Sequence, residues 1–184
     1  MQVGLGGELR GKTLGIVGLG RLGAQVAGYA QAFGMNLIAW SQNMTAERAK
    51  ECGAELVTKD ALFERSDFIT IHLKLSGRTT GLVGARELGL MKPTAYIINT
   101  SRGPIINEAA LLDALHGGAI GGAGLDVYDI EPLPADHPFR TAPRVLLTPH
   151  VGYVTAENYK IFYGGIVDSL EAWLAGKPVR VINA

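Results

Sequence analysis

The chain has 184 residues, 47% hydrophobic and 18% charged, with 25 glycines; that size suits one domain or one domain with an appendage, and the composition suits a packed core rather than a disordered or fibrous chain. Seventeen basic residues balance seventeen acidic ones, which argues against a nucleic-acid or anionic-membrane partner, and the single cysteine, Cys52, excludes an internal disulfide and a cysteine-based metal cluster. No N-terminal apolar run resembles a signal peptide and none reaches the roughly 18 residues of a membrane span, so a cytoplasmic setting is expected.

In chain order, "KTLGIVG" (12–18) is a short apolar run ending in glycine and predicts a buried strand. "RLGAQVAGYAQAFG" (21–34) predicts a helix that stops at Gly34. "NLIAWS" (36–41) is a second strand. "TAERAKECG" (45–53) starts on an N-capping Thr45 with Glu47 in the first turn and predicts a helix. A weak strand (54–57), a short helix (59–66) and a continuous β-branched strand, "DFITIHL" (67–73), follow. After a loop come a helical turn or two at "ARELGLMK", a strand at 95–101, and a helix at 107–118 closed by glycines. The last strands are "GAGLDV" (122–127) and "VLLTPH" (145–150), joined by a Pro-rich loop. Alternation of strands and helices, with strands apolar on both faces, predicts a Rossmann-type α/β fold. Its doubly wound parallel sheet has about seven strands, with helices on both sides. "TAENYKIFYGGIVDSLEAWLAG" (155–176) predicts a long helix. Tyr159, Phe162, Tyr163, Ile166, Val167, Leu170, Trp173 and Leu174 give it one apolar face. The tail "KPVRVIN" predicts a short extended piece.

Two Gly-Leu-Gly runs lie near the start, and their contexts differ. Gly18-Leu19-Gly20-Arg21-Leu22-Gly23 follows a strand and opens a helix, as a dinucleotide fingerprint must. Gly18 permits the tight turn, Gly20 lets the backbone approach a pyrophosphate, and Gly23 lets helix and strand pack closely. The helix N-terminus then offers N–H groups to the phosphates. The first run, Gly4-Leu5-Gly6-Gly7, follows no strand and reads as linker. The predicted organisation is a linker over 1–10, a dinucleotide-binding domain over 11–152, and a C-terminal helix and tail over 153–184.

An acidic residue for the adenosine ribose is expected about 20 residues beyond the fingerprint. There the chain reads Ser41-Gln42-Asn43. Without a carboxylate, a 2′-phosphate is not repelled, so NADP is compatible. No arginine lies within 39–46 to clamp one, and Ser41 can bond a ribose hydroxyl, so NAD is the expected cofactor. Arg21 and Arg48 are the cations within reach of this end.

Arg102, Glu131 and His150 fall at or just beyond strand ends, on the edge where open α/β sheets bind cofactors. A guanidinium grips a carboxylate through two parallel hydrogen bonds. An imidazole is a reversible acid and base near neutral pH, and a neighbouring carboxylate favours its charged form.

The stretches "GKTLGIVGLGRLG", "MKPTAYIINTSRGPIINEAALLDAL", "GAGLDVYDIEPLPADHP" and "VLLTPHVGYVT" make the chain resemble the D-isomer-specific 2-hydroxyacid dehydrogenases. The resemblance runs over about residues 10–176. It implies that Arg102 holds the substrate carboxylate and carbonyl, that His150 exchanges a proton with the substrate oxygen, and that Glu131 pairs with that histidine. It implies that Asp126 reaches the nicotinamide carboxamide, and that Arg21, Leu22, Ser41, His72, Leu73, Thr100, Ser101 and Gly152 complete the cofactor site beside Gly18, Gly20 and Gly23. Substrates are small 2-hydroxyacids or 2-oxoacids. The family also implies a separate substrate domain formed mostly by chain preceding the dinucleotide-binding domain. No part of this sequence matches that domain, so these residues are expected to bind cofactor with little or no turnover by themselves. The long C-terminal helix would then leave its apolar face to a partner, and a homodimer is expected. Lys74 departs from the apolar residue or proline common at its position. The alternative reading is a nucleotide-sensing or corepressor-like module on the same scaffold. L-alanine and adenosylhomocysteine-type dehydrogenases share the fold but not the Arg–Glu–His series. His116 and His137 show no metal-ligand spacing with the other histidines, so no metal is expected.

Overall fold

The computed structural model describes residues 6–182. Part of the predicted linker, including Gly4 and Leu5, and the end of the tail lie outside those residues. The chain divides into two compact units, Met1–Pro149 and His150–Ala184.

The first unit is a seven-stranded sheet in the order β3-β2-β1-β4-β5-β6-β7. Its strands are β1 Thr13–Val17, β2 Asn36–Trp40, β3 Glu55–Leu56, β4 Phe68–Ile71, β5 Tyr96–Asn99, β6 Gly122–Leu125 and β7 Val145–Leu147, and every pairing is parallel. The helices are α1 Arg21–Ala32, α2 Ala46–Glu51, α3 Lys59–Arg65, α4 Ala85–Leu90 and α5 Glu108–His116, with short 3-10 turns at Gly103–Ile105 and Pro138–Arg140. Each strand and α-helix falls where the periodicity places it, shortened by up to three residues at an end, and the two 3-10 turns were not predicted. The trimming has local causes. The Thr45, Thr58 and Asn107 side chains accept from the N–H three residues on, so each is a cap outside its helix. Gly34 follows the end of α1 at φ +71°, a left-handed stop that a Cβ disfavours.

Two apolar layers flank the sheet. Leu14, Ile16, Leu37 and Ala39 pack with Ala27, Ala30 and Ala49 of α1 and α2. Alternate residues of the same and later strands, Val17, Ile38, Ile69, Ile71, Ile97 and Leu125, pack with Leu62, Phe63, Leu88, Leu111 and Leu115 of α3, α4 and α5. Burying each large side chain of these layers stabilises the fold by about 1.5–3 kcal/mol. The first layer is thinner than two-sided coverage predicts. Tyr96 and Leu146 point to that face through the register Tyr96↔Gly122 and Gly124↔Leu146, yet they stay 43% and 71% exposed.

In the second unit, α6 spans Ala156–Leu174, capped by Thr155, whose Oγ1 accepts from the Asn158 N–H at 3.1 Å. None of its residues is buried. The Arg180 guanidinium folds the tail back onto it through Gly165 O at 3.2 Å and Asp168 at 3.2 Å. The predicted extended piece does not form a strand among the described residues: its arginine bonds the helix rather than a strand edge.

Candidate functional site

The site begins at the turn between β1 and α1. Gly18 has φ +97°. Its N–H donates to Trp40 O at 2.9 Å, and a Cβ on it would lie 2.8 Å from His72 O and 2.7 Å from the Leu73 side chain. A Cβ on Gly23 would meet Gly18 O at 2.3 Å. These two glycines therefore set how closely α1 and β4 approach the turn. At Gly20 a Cβ would meet nothing within 4 Å. Gly20 is the N-cap of α1, no side chain caps it, and no acid lies in the first turn. The start of α1, at Arg21 and Leu22, thus has neither a side-chain cap at Gly20 nor an acid in its first turn, which suits an anionic phosphate. The geometry fits a dinucleotide by this test.

This turn sits at the carboxyl ends of β1 and β4, where the sheet order reverses, the usual position of a nucleotide crevice. Ser41 follows β2 and is half-buried, and its carbonyl accepts from Met44 N at 3.2 Å. His72 and Leu73 follow β4. His72 Nε2 lies 2.9 Å from Thr70 Oγ1, and burial pushes its imidazole below the ordinary histidine range. The unfolded chain takes up a proton near the usual histidine value of about 6.5, and folded His72 resists until lower pH. Stability should fall as pH drops below about 6.5 through that window. Following the His72 ring resonance by NMR checks this: titration at or above the free value would contradict it.

Next along the edge is the β5 segment. Asn99 is buried and shapes it, with Oδ1 accepting from Ser101 N at 3.0 Å and Nδ2 donating to Arg102 O at 2.9 Å. Ser101 Oγ donates to Leu73 O, linking this segment to the end of β4. Thr100 and Arg102 are exposed, and Arg102 Nη1 donates to Ser101 O at 2.6 Å.

Gly103 is pressed against the loop after β6. A Cβ there would lie 2.1 Å from the Tyr128 carbonyl carbon and 2.5 Å from Asp129 N. The segments carrying Arg102 and Glu131 therefore meet backbone to backbone. Glu131 is exposed and its Oε1 accepts from Tyr128 N at 3.0 Å. Asp126 is buried and its Oδ1 accepts from Thr148 Oγ1 at 2.5 Å. The Tyr128 hydroxyl faces Thr148 O at 2.8 Å and Leu125 O at 3.1 Å; burial and the Asp126 carboxylate hold this phenol above its ordinary range.

Two roles escape the sequence. His137 Nδ1 accepts from Phe139 N at 3.2 Å, so its Nε2 carries the proton and donates to Glu108 at 2.9 Å. This pair ties the Glu131 loop to α5, whose start follows Arg102. Arg140 donates to Pro134 O at 2.7 Å and Leu133 O at 2.8 Å, closing the same loop. The Pro138–Arg140 turn after His137 is the signal that was available. His116, by contrast, lies 2.9 Å from Leu112 O through Nδ1 at the end of α5, a local helix contact.

His150 and Gly152 belong to the second unit. His150 holds a left-handed backbone, φ 56°, which is costly for a residue with a Cβ and recurs where function requires it. Its ring stands edge-on to Tyr153 at 5.8 Å. Tyr153 in turn contacts Phe162 of α6 at 6.1 Å. Gly152 is exposed between them. Among the described residues no group of three His, Cys, Asp or Glu is arranged to hold a metal, and no helix is long and apolar enough to cross a membrane.

A parallel sheet with a glycine cradle at its switch point defines a Rossmann-type dinucleotide-binding protein, and the arginine and acids on the same edge suit carboxylate chemistry. Residues 2–152 match the family model for D-isomer specific 2-hydroxyacid dehydrogenase, NAD binding domain. The chain belongs to that family and carries its NAD-binding domain. It is 43% identical over 180 residues to a glyoxylate reductase of Aeropyrum pernix, covering 97% of this chain and 54% of the relative. It is 44% identical over 176 residues to a D-3-phosphoglycerate dehydrogenase of Synechocystis sp., covering 96% of this chain and 32% of the relative. Its fold matches the D-isomer specific 2-hydroxyacid dehydrogenase from Lactobacillus delbrueckii ssp. bulgaricus, solved in NAD-complexed form, with a TM-score of 0.80 at 27% identity over 97% of this chain and 58% of that one. The chain thus spans from just under a third to somewhat over half the length of these three.

Proposed function

We propose that these residues are the cofactor-binding half of an enzyme that moves a hydride between NAD and a small D-2-hydroxyacid or 2-oxoacid. The observation that carries the reading is the meeting, on one sheet edge, of the Gly18–Gly23 cradle with the segments of Arg102, Asp126 and Glu131. In this reading the bound nicotinamide supplies the hydride. Arg102 holds the substrate carboxylate by two hydrogen bonds, which fixes the face of the α-carbon. His150 gives a proton to the carbonyl oxygen as hydride reaches the carbon, and takes it back in the reverse direction. Glu131 pairs with that imidazole and steadies its charged form. Asp126, oriented by Thr148, receives the carboxamide. The cofactor contacts are those of Gly18, Gly20, Arg21, Leu22, Gly23, Ser41, His72, Leu73, Thr100, Ser101 and Gly152.

Hydride transfer needs the substrate positioned in a dry site. The relatives have length that these residues do not match, so we expect cofactor binding with little or no turnover from the 184 residues alone. An NADH-oxidation assay with glyoxylate, hydroxypyruvate and pyruvate tests this. Turnover should appear only when the chain is joined to the preceding portion of a relative such as the Aeropyrum pernix enzyme. Full activity of the isolated chain would contradict the division of labour. Cofactor binding without turnover in the joined protein would favour a nucleotide-sensing module instead.

The setting in this reading is cytoplasmic, in keeping with a lone cysteine, Cys52, that is left free. We further propose a homodimer. Along α6, Phe162, Tyr163, Ile166, Val167, Leu170, Trp173 and Leu174 are 47–76% exposed, more contiguous apolar surface than a monomer ordinarily leaves to water. Sedimentation at micromolar concentration should show a dimer that Ile166→Glu disperses. A monomer for the unaltered chain would contradict the proposal.

A further inference from the structure

The stretch that follows β5 and the loop that follows β6 are clasped at two points, and Glu131 lies between them. The first point is backbone on backbone: a Cβ on Gly103 would lie 2.5 Å from Asp129 N and closer still to the Tyr128 carbonyl. The second is a side-chain pair, His137 Nε2 donating to Glu108 Oε1 at 2.9 Å. Gly103 and Glu108 belong to one stretch, which starts beside Arg102 and runs through the 3-10 turn Gly103–Ile105 into α5. Tyr128 and His137 belong to the other. The two stretches border one small cavity, whose lining includes Asn99, Gly103, Glu108, Tyr128, Asp129 and Phe139. A loop held at one point can pivot about it, whereas a loop held at two cannot. The Gly103 contact yields only if main-chain packing is lost; the other point rests on one hydrogen bond.

Both nitrogens of the His137 ring are committed. Nδ1 accepts from Phe139 N at 3.2 Å, which places the proton of the neutral ring on Nε2. The side chain is only 13% exposed, and its ring lies against that of Phe139 with centroids 5.1 Å apart. Phe139 is buried in the same core cluster as Leu111 and Leu115 of α5. Turning the imidazole away from Glu108 would therefore break two hydrogen bonds and an aromatic contact. Glu108 is set by the cap of its helix, where Asn107 Oδ1 accepts from Ala110 N at 2.9 Å. Between the two clasps the loop is stiff. Glu131 Oε1 accepts from Tyr128 N at 3.0 Å, and the Arg140 guanidinium donates to Leu133 O at 2.8 Å and Pro134 O at 2.7 Å. A displacement at His137 is thus carried to Glu131 rather than absorbed on the way. Arg102 is fixed from the opposite side, by Asn99 Nδ2 donating to its carbonyl at 2.9 Å.

Resting on the hydride-transfer reading above, we infer that His137 and Glu108 are positioning residues for that reaction: their hydrogen bond holds the Glu131 carboxylate at its working place relative to Arg102. Neither touches cofactor or substrate in that reading, and the imidazole has no nitrogen left to exchange a proton with a ligand. Their effect passes through Glu131, which steadies the charged form of the proton donor, and through Arg102, which aims the substrate. An error of about 1 Å at such groups can cost about 100-fold in rate even when it arises away from the chemistry. The Gly18–Gly23 cradle stands on β1 and α1, on neither of the clasped stretches, so cofactor binding should not feel the loss of the pair.

The test has two arms. In the chain joined to the preceding portion of a relative, Glu108→Ala and His137→Asn should each lower kcat by about 10- to 100-fold and leave the KM for NADH within about twofold. Asparagine at 137 can still accept from Phe139 N, as such side chains do two residues on, but it is too short to reach Glu108. Glu108→Gln keeps an oxygen that accepts from Nε2 and should restore kcat to within about threefold of the unaltered protein, a neutral bond being weaker than a charged one. Because the two residues act as one unit, the double variant should lose no more than either single one. In the 184-residue chain, hydrogen exchange at the Tyr128 N–H should quicken by about tenfold or more in Glu108→Ala, as the loop opens locally, while NADH affinity stays unchanged. Full kcat in His137→Asn, additive losses in the double variant, a Glu108→Gln loss as large as that of Glu108→Ala, or exchange at Tyr128 that does not quicken would each overturn the inference and leave the hydride-transfer reading standing. No turnover by the unaltered joined protein would overturn the reading on which the inference rests.

Discussion

Gly18→Ala should remove measurable NADH binding while leaving a folded, weakened domain. Two effects act at this position. The backbone is at φ +97°, where a side chain costs about 1–3 kcal/mol. A Cβ would also lie 2.8 Å from His72 O, a backbone atom that cannot rotate aside. The turn must open, and it cannot open without moving His72 and Leu73 away from β1. Thermal unfolding should shift down by a few degrees for a change of that size. Binding should suffer more, because the phosphates need the first N–H groups of α1 held in one arrangement. A Gly6→Ala control has no neighbour within 4 Å and no unusual backbone, so it should leave both quantities unchanged. A Gly18→Ala chain that binds NADH normally would show that the turn is structural only.

The second large effect concerns His150. In the chain joined to the substrate portion of a relative, His150→Gln should cut kcat by about two to four orders of magnitude, the usual worth of a positioned acid or base. The KM for NADH should stay within a few fold, since in the proposed reading the imidazole acts on the substrate oxygen. Glutamine keeps a hydrogen-bonding side chain but cannot exchange the proton. Glu131→Gln should lower the rate less and alter its pH profile, because it removes only the charge that favours imidazolium. Near-normal kcat in His150→Gln would take His150 out of the role.

Much of the fold was legible because its signals are local. β1, β4 and β5 are continuous apolar runs, and each has the helix or glycine that ends it in the same few residues. Thr45 announces its helix as an N-cap, and Thr58 and Asn107 cap theirs in the same way in the structure. The cradle could be read from Gly18, Gly20 and Gly23 because each glycine answers a separate steric demand. The layer over β5–β7 could not, since the exposure of Tyr96 and Leu146 depends on which helices return to that face. Contacts between distant segments were also hidden. Nothing around "SRGPI" states that Gly103 must lie against Tyr128, and nothing around "ADHPF" states that His137 must find Glu108. The tail illustrates the same limit. "KPVRV" has the composition of a strand, but Arg180 bonds Gly165 and Asp168 instead.

These hidden contacts explain how a short edge holds several candidate site residues in place. Asn99 shapes the Ser101–Arg102 turn, and Ser101 ties it to Leu73 beside the cradle. Gly103 and the His137–Glu108 pair tie it to the loop of Glu131. A disturbance at one segment therefore reaches the others through backbone contacts rather than through flexible side chains. Gly103→Ala illustrates the coupling. It would place a Cβ 2.1 Å from the Tyr128 carbonyl carbon, so it should destabilise the domain by about 1–3 kcal/mol or more and displace both Arg102 and Glu131. Denaturant unfolding would register the first effect, and a loss the size expected for an exposed glycine, near zero, would contradict the close approach.

The most direct test of the account is a calorimetric titration of NADH into the 184-residue chain. Saturable binding of one NADH per chain, and its loss in Gly18→Ala, is the predicted result. No saturable binding at millimolar NADH by a folded chain would contradict it.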